Sequence, residues 1–276
     1  MFEEADIMII DYPFFDRLDH APYFDTLTMP PRLADQKWVF WFGGESIGSY
    51  PFVATPFYQN QFDLTMGAPP RTMDIPIPLY EITKDFALQL ANTEPSFPFE
   101  RKPENYVGIM VSNCDPKNNR NELIHALIDK AGAHSFGSCI HTTEMPEEFR
   151  ITPTNWGDWV NNKLKMLGGY PFVFAGENSS CMGYVTEKIY NALQAGAIPI
   201  YLGAVDIADF VPEGSYVDVS KFKDFDALVD YIKTVDRSQF YKWKEVVKKD
   251  PSQFCKSCFK VEDEPWCNVI KKVTFV

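Results

Sequence analysis

The sequence predicts an α/β fold made of two Rossmann-like domains. Three observations lead there. Short apolar runs of strand length, such as Ala5–Asp11 (ADIMIID) and Lys37–Phe42 (KWVFWF), lack polar alternation, as expected of parallel strands buried on both faces. In the second half, such runs alternate with helical stretches, which is the pattern of βαβ units. Between the halves, Leu88–Asn105 carries Pro95, Pro98 and Pro103 among polar residues and reads as a linker. An N-terminal domain is therefore expected over residues 1–100 and a C-terminal domain over 101–276. With 276 residues, 45% of them hydrophobic, the chain has enough apolar material for one large core or two moderate ones.

In the first half, Phe62–Met66 (FDLTM) follows as a third strand, and Ala68–Pro78 is proline-rich loop. In the second half, Tyr106–Ser112 (YVGIMVS) is a strand. Asn119–Lys130 is an amphipathic helix with Leu123, Leu127 and Ile128 on one face, closed by Gly132. Phe172–Ala175 is a strand, Val185–Ala195 a helix stopped by Gly196, and Ile198–Leu202 the next strand. Asp226–Thr234 and Gln239–Lys249 are later helices. In open α/β sheets, ligands sit beyond the carboxyl ends of the strands. Glu45 and Glu177 each lie just past such an end, so the crevice between the domains is the expected site.

A formal net charge of −12 argues against a nucleic-acid binder, which carries a basic face. It leaves room for a nucleotide, because a few local cations can hold phosphate inside an acidic protein. No apolar run is long enough to span a bilayer, and the N-terminus lacks the basic region of a signal peptide. A Gly-x-Gly-x-x-Gly motif is missing, which sets aside a nicotinamide cofactor. His20, His125, His134 and His141 show no metal-ligand spacing. The six cysteines are Cys114, Cys139, Cys181, Cys255, Cys258 and Cys267. They favour disulfides. A zinc site would need Cys139 and His141 to join the Cys255-x-x-Cys258 pair across the fold.

The most informative segment is Phe174–Gly203: a strand, a polar turn (Glu177, Asn178, Ser179, Ser180), a helix, a glycine stop and a strand. The helix places Glu187 and Lys188 in its first turn. Its free N–H groups and positive dipole end suit a phosphate, and Lys188 adds a full charge. Glu187 would repel phosphate, so a sugar hydroxyl is its expected partner. Read without a ligand, the same spacing is a capped helix with Lys188 in solvent.

Here the sequence resembles glycosyltransferase family 10, the α1,3/α1,4-fucosyltransferases. Glu177-Asn178-Ser179 and Tyr184-Val185-Thr186-Glu187-Lys188 fit the family's donor motif, and Val211–Phe222 fits its continuation. Gly176 departs from it, standing where the family usually has phenylalanine. The resemblance covers about half the chain well and the first half loosely.

The resemblance implies the two-domain architecture called GT-B and transfer of L-fucose from GDP-β-L-fucose, with inversion, to a hydroxyl of an acceptor glycan. The expected hydroxyl is O3 of N-acetylglucosamine. Donor contacts fall on Ser112, Asn113, Arg120, Asn178, Tyr184, Glu187 and Lys188, and the catalytic base on Glu45, with Asp11 as its rival. No metal or other cofactor is implied. The alternatives are another GT-B transferase or a silent sugar-binding protein of this fold. A glycoside hydrolase needs two paired carboxylates, and Glu45 has no evident partner.

The family usually has more chain before the base than the 44 residues here, so the first βα unit is expected to be either missing or trimmed by evolution. The resemblance also implies a Golgi lumen, with a membrane reached only through a segment outside this chain; a cytoplasmic, bacterial or viral type is the alternative. Asn178-Ser179-Ser180 has glycosylation spacing, but a glycan would block the donor loop, so it reads as unused.

Overall fold

The computed structural model describes residues 6–11, 32–67, 73–98, 103–150 and 158–256. The chain divides into two compact units. One comprises Met1–Glu81, Cys181–Tyr184 and Lys260–Val276; the other comprises Ile82–Ser180 and Val185–Phe259.

In the first unit, β1 (Ile7–Asp11), β2 (Lys37–Phe42), β3 (Leu64–Gly67) and β4 (Ile75–Pro76) form a parallel sheet in that order among the described residues. Met8 pairs with Trp38, Phe40 with Thr65, and Met66 with Ile75. The sequence KWVFWF explains why β2 is central. Trp38, Phe40 and Phe42 enter one apolar cluster with Val53, Phe62 and Met73. Val39 enters a second, with Met66 and Ile75. Each fully buried phenylalanine contributes on the order of 2 kcal/mol through the area it removes from water. A single-turn helix, α1 (Pro56–Gln59), lies between β2 and β3.

In the second unit, α2 (Lys84–Asn92) leads into β5 (Val107–Ile109), α3 (Arg120–Ala131) and β6 (His134–Ser135). Then come α4 (Trp159–Leu167), β7 (Phe172–Gly176), α5 (Glu187–Gln194), β8 (Ile198–Leu202), β9 (Val217–Asp218), α6 (Phe225–Thr234) and α7 (Trp243–Lys249). The strands form a parallel sheet in the order β6-β5-β7-β8-β9. One face carries Phe172, Phe174, Ile198 and Ile200 against Leu123 and Leu127 of α3 and Leu228 and Ile232 of α6. The other carries Val173 against Met166 of α4 and Ala192 of α5. Helices on both faces make this half doubly wound. Among the described residues, no helix is long and apolar enough to cross a membrane.

The expected linker differs from what is found. Part of Leu88–Asn105 is helical, because α2 runs through Asn92. Thr83 caps it by accepting from the Phe86 N–H at 3.1 Å. Ala87, Leu90 and Ala91 are buried, and the helix packs on α7. The division therefore falls at Glu81–Ile82, and α2 joins the second unit.

Candidate active site

In the second unit the chain leaves β5 toward β6 on one side and leaves β7 toward β8 on the other. The carboxyl ends of β5 and β7 thus flank a topological switch point, where open α/β sheets place their ligands. Most of the residues expected to bind donor gather here.

Arg120 opens α3 and is fully buried, at 0% exposure. Its Nη1 donates to the Gly176 carbonyl at 3.2 Å and to Asn178 Oδ1 at 2.5 Å; its Nη2 donates to the Asn113 carbonyl at 2.5 Å. The guanidinium joins the loop after β5 to the loop after β7, a task its planar fork of donors suits. Further bonds join the same two loops. The Lys117 N–H donates to the Asn178 carbonyl at 2.6 Å, and Asn118 Nδ2 to the Glu177 carbonyl at 3.3 Å. Gly176 makes room for Arg120. A Cβ there would stand 2.3 Å from the Phe174 ring and 3.0 Å from Arg120 Cδ.

Ser112 and Asn113 are exposed on the β5 loop. A Cys114–Cys139 disulfide ties that loop to the one after β6. Cys139 is therefore not available to a zinc site with His141. The His141 ring nitrogens instead face the Gly137 carbonyl at 3.1 Å and Glu144 at 3.3 Å. Cys255 is also disulfide-bonded. Cys258, Cys267 and His20 lie outside the described residues. His134 Nδ1 lies 2.8 Å from the Tyr170 hydroxyl, and His125 is exposed on α3.

After β7, Glu177 is fully buried at 0% exposure, with its N–H on the Leu202 carbonyl at 2.8 Å. Its Oε1 accepts from the Thr186 N–H at 2.8 Å. Its Oε2 accepts from the Thr186 hydroxyl at 2.8 Å and from Lys188 Nζ at 3.1 Å. Burial pushes the Glu177 carboxyl up, while Lys188 and the two Thr186 bonds resist.

Thr186 is the N-cap residue of α5, yet its side chain caps no helical N–H, being turned to Glu177 and Lys188. The helix begins at Glu187, later than the Val185 start expected. Lys188 also lies 3.7 Å from Glu187 Oε1. Burial works against the charge on Glu187, but Lys188, the first N–H of the helix and Lys163 hold its carboxyl below the usual range. Lys163 of α4 is pushed below its ordinary value by burial, with Lys188 adding and Glu187 opposing.

In the first unit, Glu45 lies in the loop after β2 and is half-buried. The Tyr184 hydroxyl, in the stretch that belongs to this unit, donates to Glu45 Oε2 at 3.3 Å, and Tyr184 is 2% exposed. Gly43 serves packing: a Cβ would fall 2.5 Å from the Trp41 indole nitrogen, whereas one on Gly44 would meet nothing within 4 Å. The rival, Asp11, ends β1 opposite Trp41.

The family model for glycosyltransferase family 10 (fucosyltransferase), C-terminal part, matches residues 100–275. The chain belongs to glycosyltransferase family 10. The GDP-fucose protein O-fucosyltransferase 3 of Xenopus laevis is 33% identical over 150 residues, 52% of this chain and 31% of that protein. The α-(1,3)-fucosyltransferase B of Drosophila melanogaster is 29% identical over 224 residues, 76% of this chain and 48% of that protein. The chain thus spans between about three-tenths and a half of the length of these relatives. A crystal structure of an α1,3-fucosyltransferase superposes with a TM-score of 0.55 at 21% identity, over 87% of this chain and 74% of that one. The fold is accordingly α/β and GT-B-like.

Within the family 10 motif, reading the sequence passed over Glu177 and Thr186 as site residues. Both stand inside the quoted motif, but spacing alone does not reveal that one is buried and the other turned away from its own helix. Nor did it find Lys163, which no motif marks.

Proposed function

We propose that this chain is an inverting fucosyltransferase that uses GDP-β-L-fucose, with the diphosphate bound at the start of α5. The observation that carries this reading is Lys188, held in the first turn of α5 at the switch point between β5 and β7. A helix start offers N–H groups and a positive dipole end, and an ammonium adds a charge-assisted bond to a phosphate oxygen. Asn178 and the exposed Ser112 and Asn113 line the same strand ends. Arg120 adds a buried positive charge behind them, and Glu187 suits a donor hydroxyl.

Glu45 is the base. Its carboxylate takes the proton of the acceptor hydroxyl as that oxygen forms its bond to fucose C1. The bond from C1 to the GDP oxygen breaks, its electron pair leaves with GDP, and attack from the opposite face turns β donor into α product. Lys188 and the α5 start stabilise the departing diphosphate. Tyr184 fixes one Glu45 oxygen, and protein cations take the place of a metal. The disulfides support an oxidising compartment, which we take to be the Golgi lumen.

The acceptor is proposed to be O3 of N-acetylglucosamine in a glycan. The likeness to a protein O-fucosyltransferase favours a second reading, in which the acceptor is a hydroxyl of a polypeptide. Incubation with GDP-fucose and either an N-acetylglucosamine-terminated glycan or a folded protein acceptor decides between them. GDP release only when acceptor is present supports transfer. Release without acceptor points to hydrolysis, and binding without release to a silent binder.

A further inference from the structure

We propose that Glu177 is a positioning residue for the donor site: it touches no substrate and aims Lys188 at the diphosphate. The idea rests on the reading of the α5 start given above. The carboxylate is fully enclosed and its bonds all run inward or along the helix start. Oε1 takes the Thr186 N–H at 2.8 Å, and Oε2 takes Lys188 Nζ at 3.1 Å. Thr186 Oγ1 lies 3.0 and 2.8 Å from the two carboxylate oxygens and accepts from Lys188 Nζ at 2.8 Å. A hydroxyl has one proton and two lone pairs, so these distances fit one arrangement: it donates to the carboxylate and accepts from the ammonium. Glu177, Thr186 and Lys188 therefore close a ring.

The ring has two consequences for a ligand. The Thr186 side chain, which at an ordinary N-cap would bond the N–H of the second or third helical residue, is engaged elsewhere. Thr83 and Asp224 do cover such groups, bonding Phe86 N and Ala227 N, whereas Asn119 and Asp158 leave theirs uncapped. Glu177 thus draws the natural cap away from the start of α5. It also spares a long flexible side chain the rotamer entropy of being ordered when the phosphate arrives. Lys188 is the one member of the ring that reaches partial exposure, 21% against 0% for Glu177.

The test is a double-mutant cycle read by calorimetric titration of GDP into the full chain. Lys188→Ala, Glu177→Gln and the double variant are compared with the parent. If Glu177 acts through Lys188, Glu177→Gln weakens GDP binding about tenfold in the parent and less than twofold in the Lys188→Ala background. Equal loss in both backgrounds would mean a merely structural role and would overturn the proposal alone. No loss in the parent overturns it as well. Unchanged GDP affinity in Lys188→Ala would sink the donor-site reading, and this inference with it. Should Glu177→Gln fail to fold, Glu177→Asp replaces it. Asp keeps the charge but falls one methylene short of Lys188, so the same dependence on Lys188 is expected, and equal loss with and without Lys188 overturns the proposal.

Discussion

Two helices begin beyond the carboxyl ends of neighbouring strands, and each carries a cation in its first turn, but the two cations are held differently. Arg120, first in α3, is fully buried and spends its guanidinium on the Gly176 and Asn113 carbonyls and on Asn178. Lys188, second in α5, is one-fifth exposed and held by the Glu177 carboxylate. Arginine keeps its charge in such a setting and offers a rigid fork, so it can join two loops. Lysine is a single mobile charge on a long stem, better suited to meeting a ligand. The difference teaches that like cations at like helix starts can divide the work: one builds the floor of the switch point, and the other, on the proposed reading, faces what binds there.

The sharpest way to break this comparison is Arg120→Ala. It leaves two carbonyls and an amide oxygen short of a donor and opens a hole beside Gly176. A loss of about 4 kcal/mol in urea unfolding is expected, the scale of breaking a buried charged network. A loss below about 1 kcal/mol would show that Arg120 is no keystone. Next in size is Glu45→Gln, which keeps shape but cannot take the proton. Turnover should fall by roughly 10² or more, with GDP affinity nearly unchanged. If Asp11→Asn abolishes turnover while Glu45→Gln does not, Asp11 is the base.

A third cation sharpens the contrast. Lys244 of α7 is 8% exposed, bonds the Thr93 carbonyl and lies 4.9 Å from the centre of the Tyr241 ring. Burial pulls its ammonium from the ordinary 10.5 down to about 8, with Lys248 adding and Glu94 opposing. Between those values the folded chain holds fewer protons than the unfolded one, so stability rises with pH, and below about pH 8 the burial cost is present in full. Relative to Lys244→Met, the parent should gain up to about 2 kcal/mol between pH 8 and 9.5 by urea unfolding. Parallel pH curves for the two proteins would show that Lys244 keeps its ordinary value.

Much of this frame was legible in the sequence. KWVFWF and IPIYL are strands over the residues expected, because burial on both faces leaves a near-continuous apolar run. The helix from Arg120 ends beside Gly132 as read. What was hidden depends on contacts far apart in the chain. The helix α2 ends just before the prolines that suggest a linker and overlaps that linker's start, and its buried face is only Ala87, Leu90 and Ala91. The Cys114–Cys139 bond joins the loops after β5 and β6, which become neighbours only once Gly108 pairs with His134. The motif named Glu187 and Lys188, but not that the carboxylate holding Lys188 would be Glu177, eleven residues earlier.

The central claim is that Lys188, and not a cation elsewhere, receives the donor diphosphate. Titrating GDP into the parent and into Lys188→Ala tests it most directly, with circular dichroism confirming that both are folded. A charge-assisted bond is worth roughly 1.5–3 kcal/mol, so GDP should bind ten- to about a hundredfold more weakly to the variant. Lys188→Ala also leaves the buried Glu177 carboxylate without its cation, so the unfolding midpoint is expected to fall as well, and the titration is run where both proteins are folded. Equal GDP affinity in the two proteins would contradict the account.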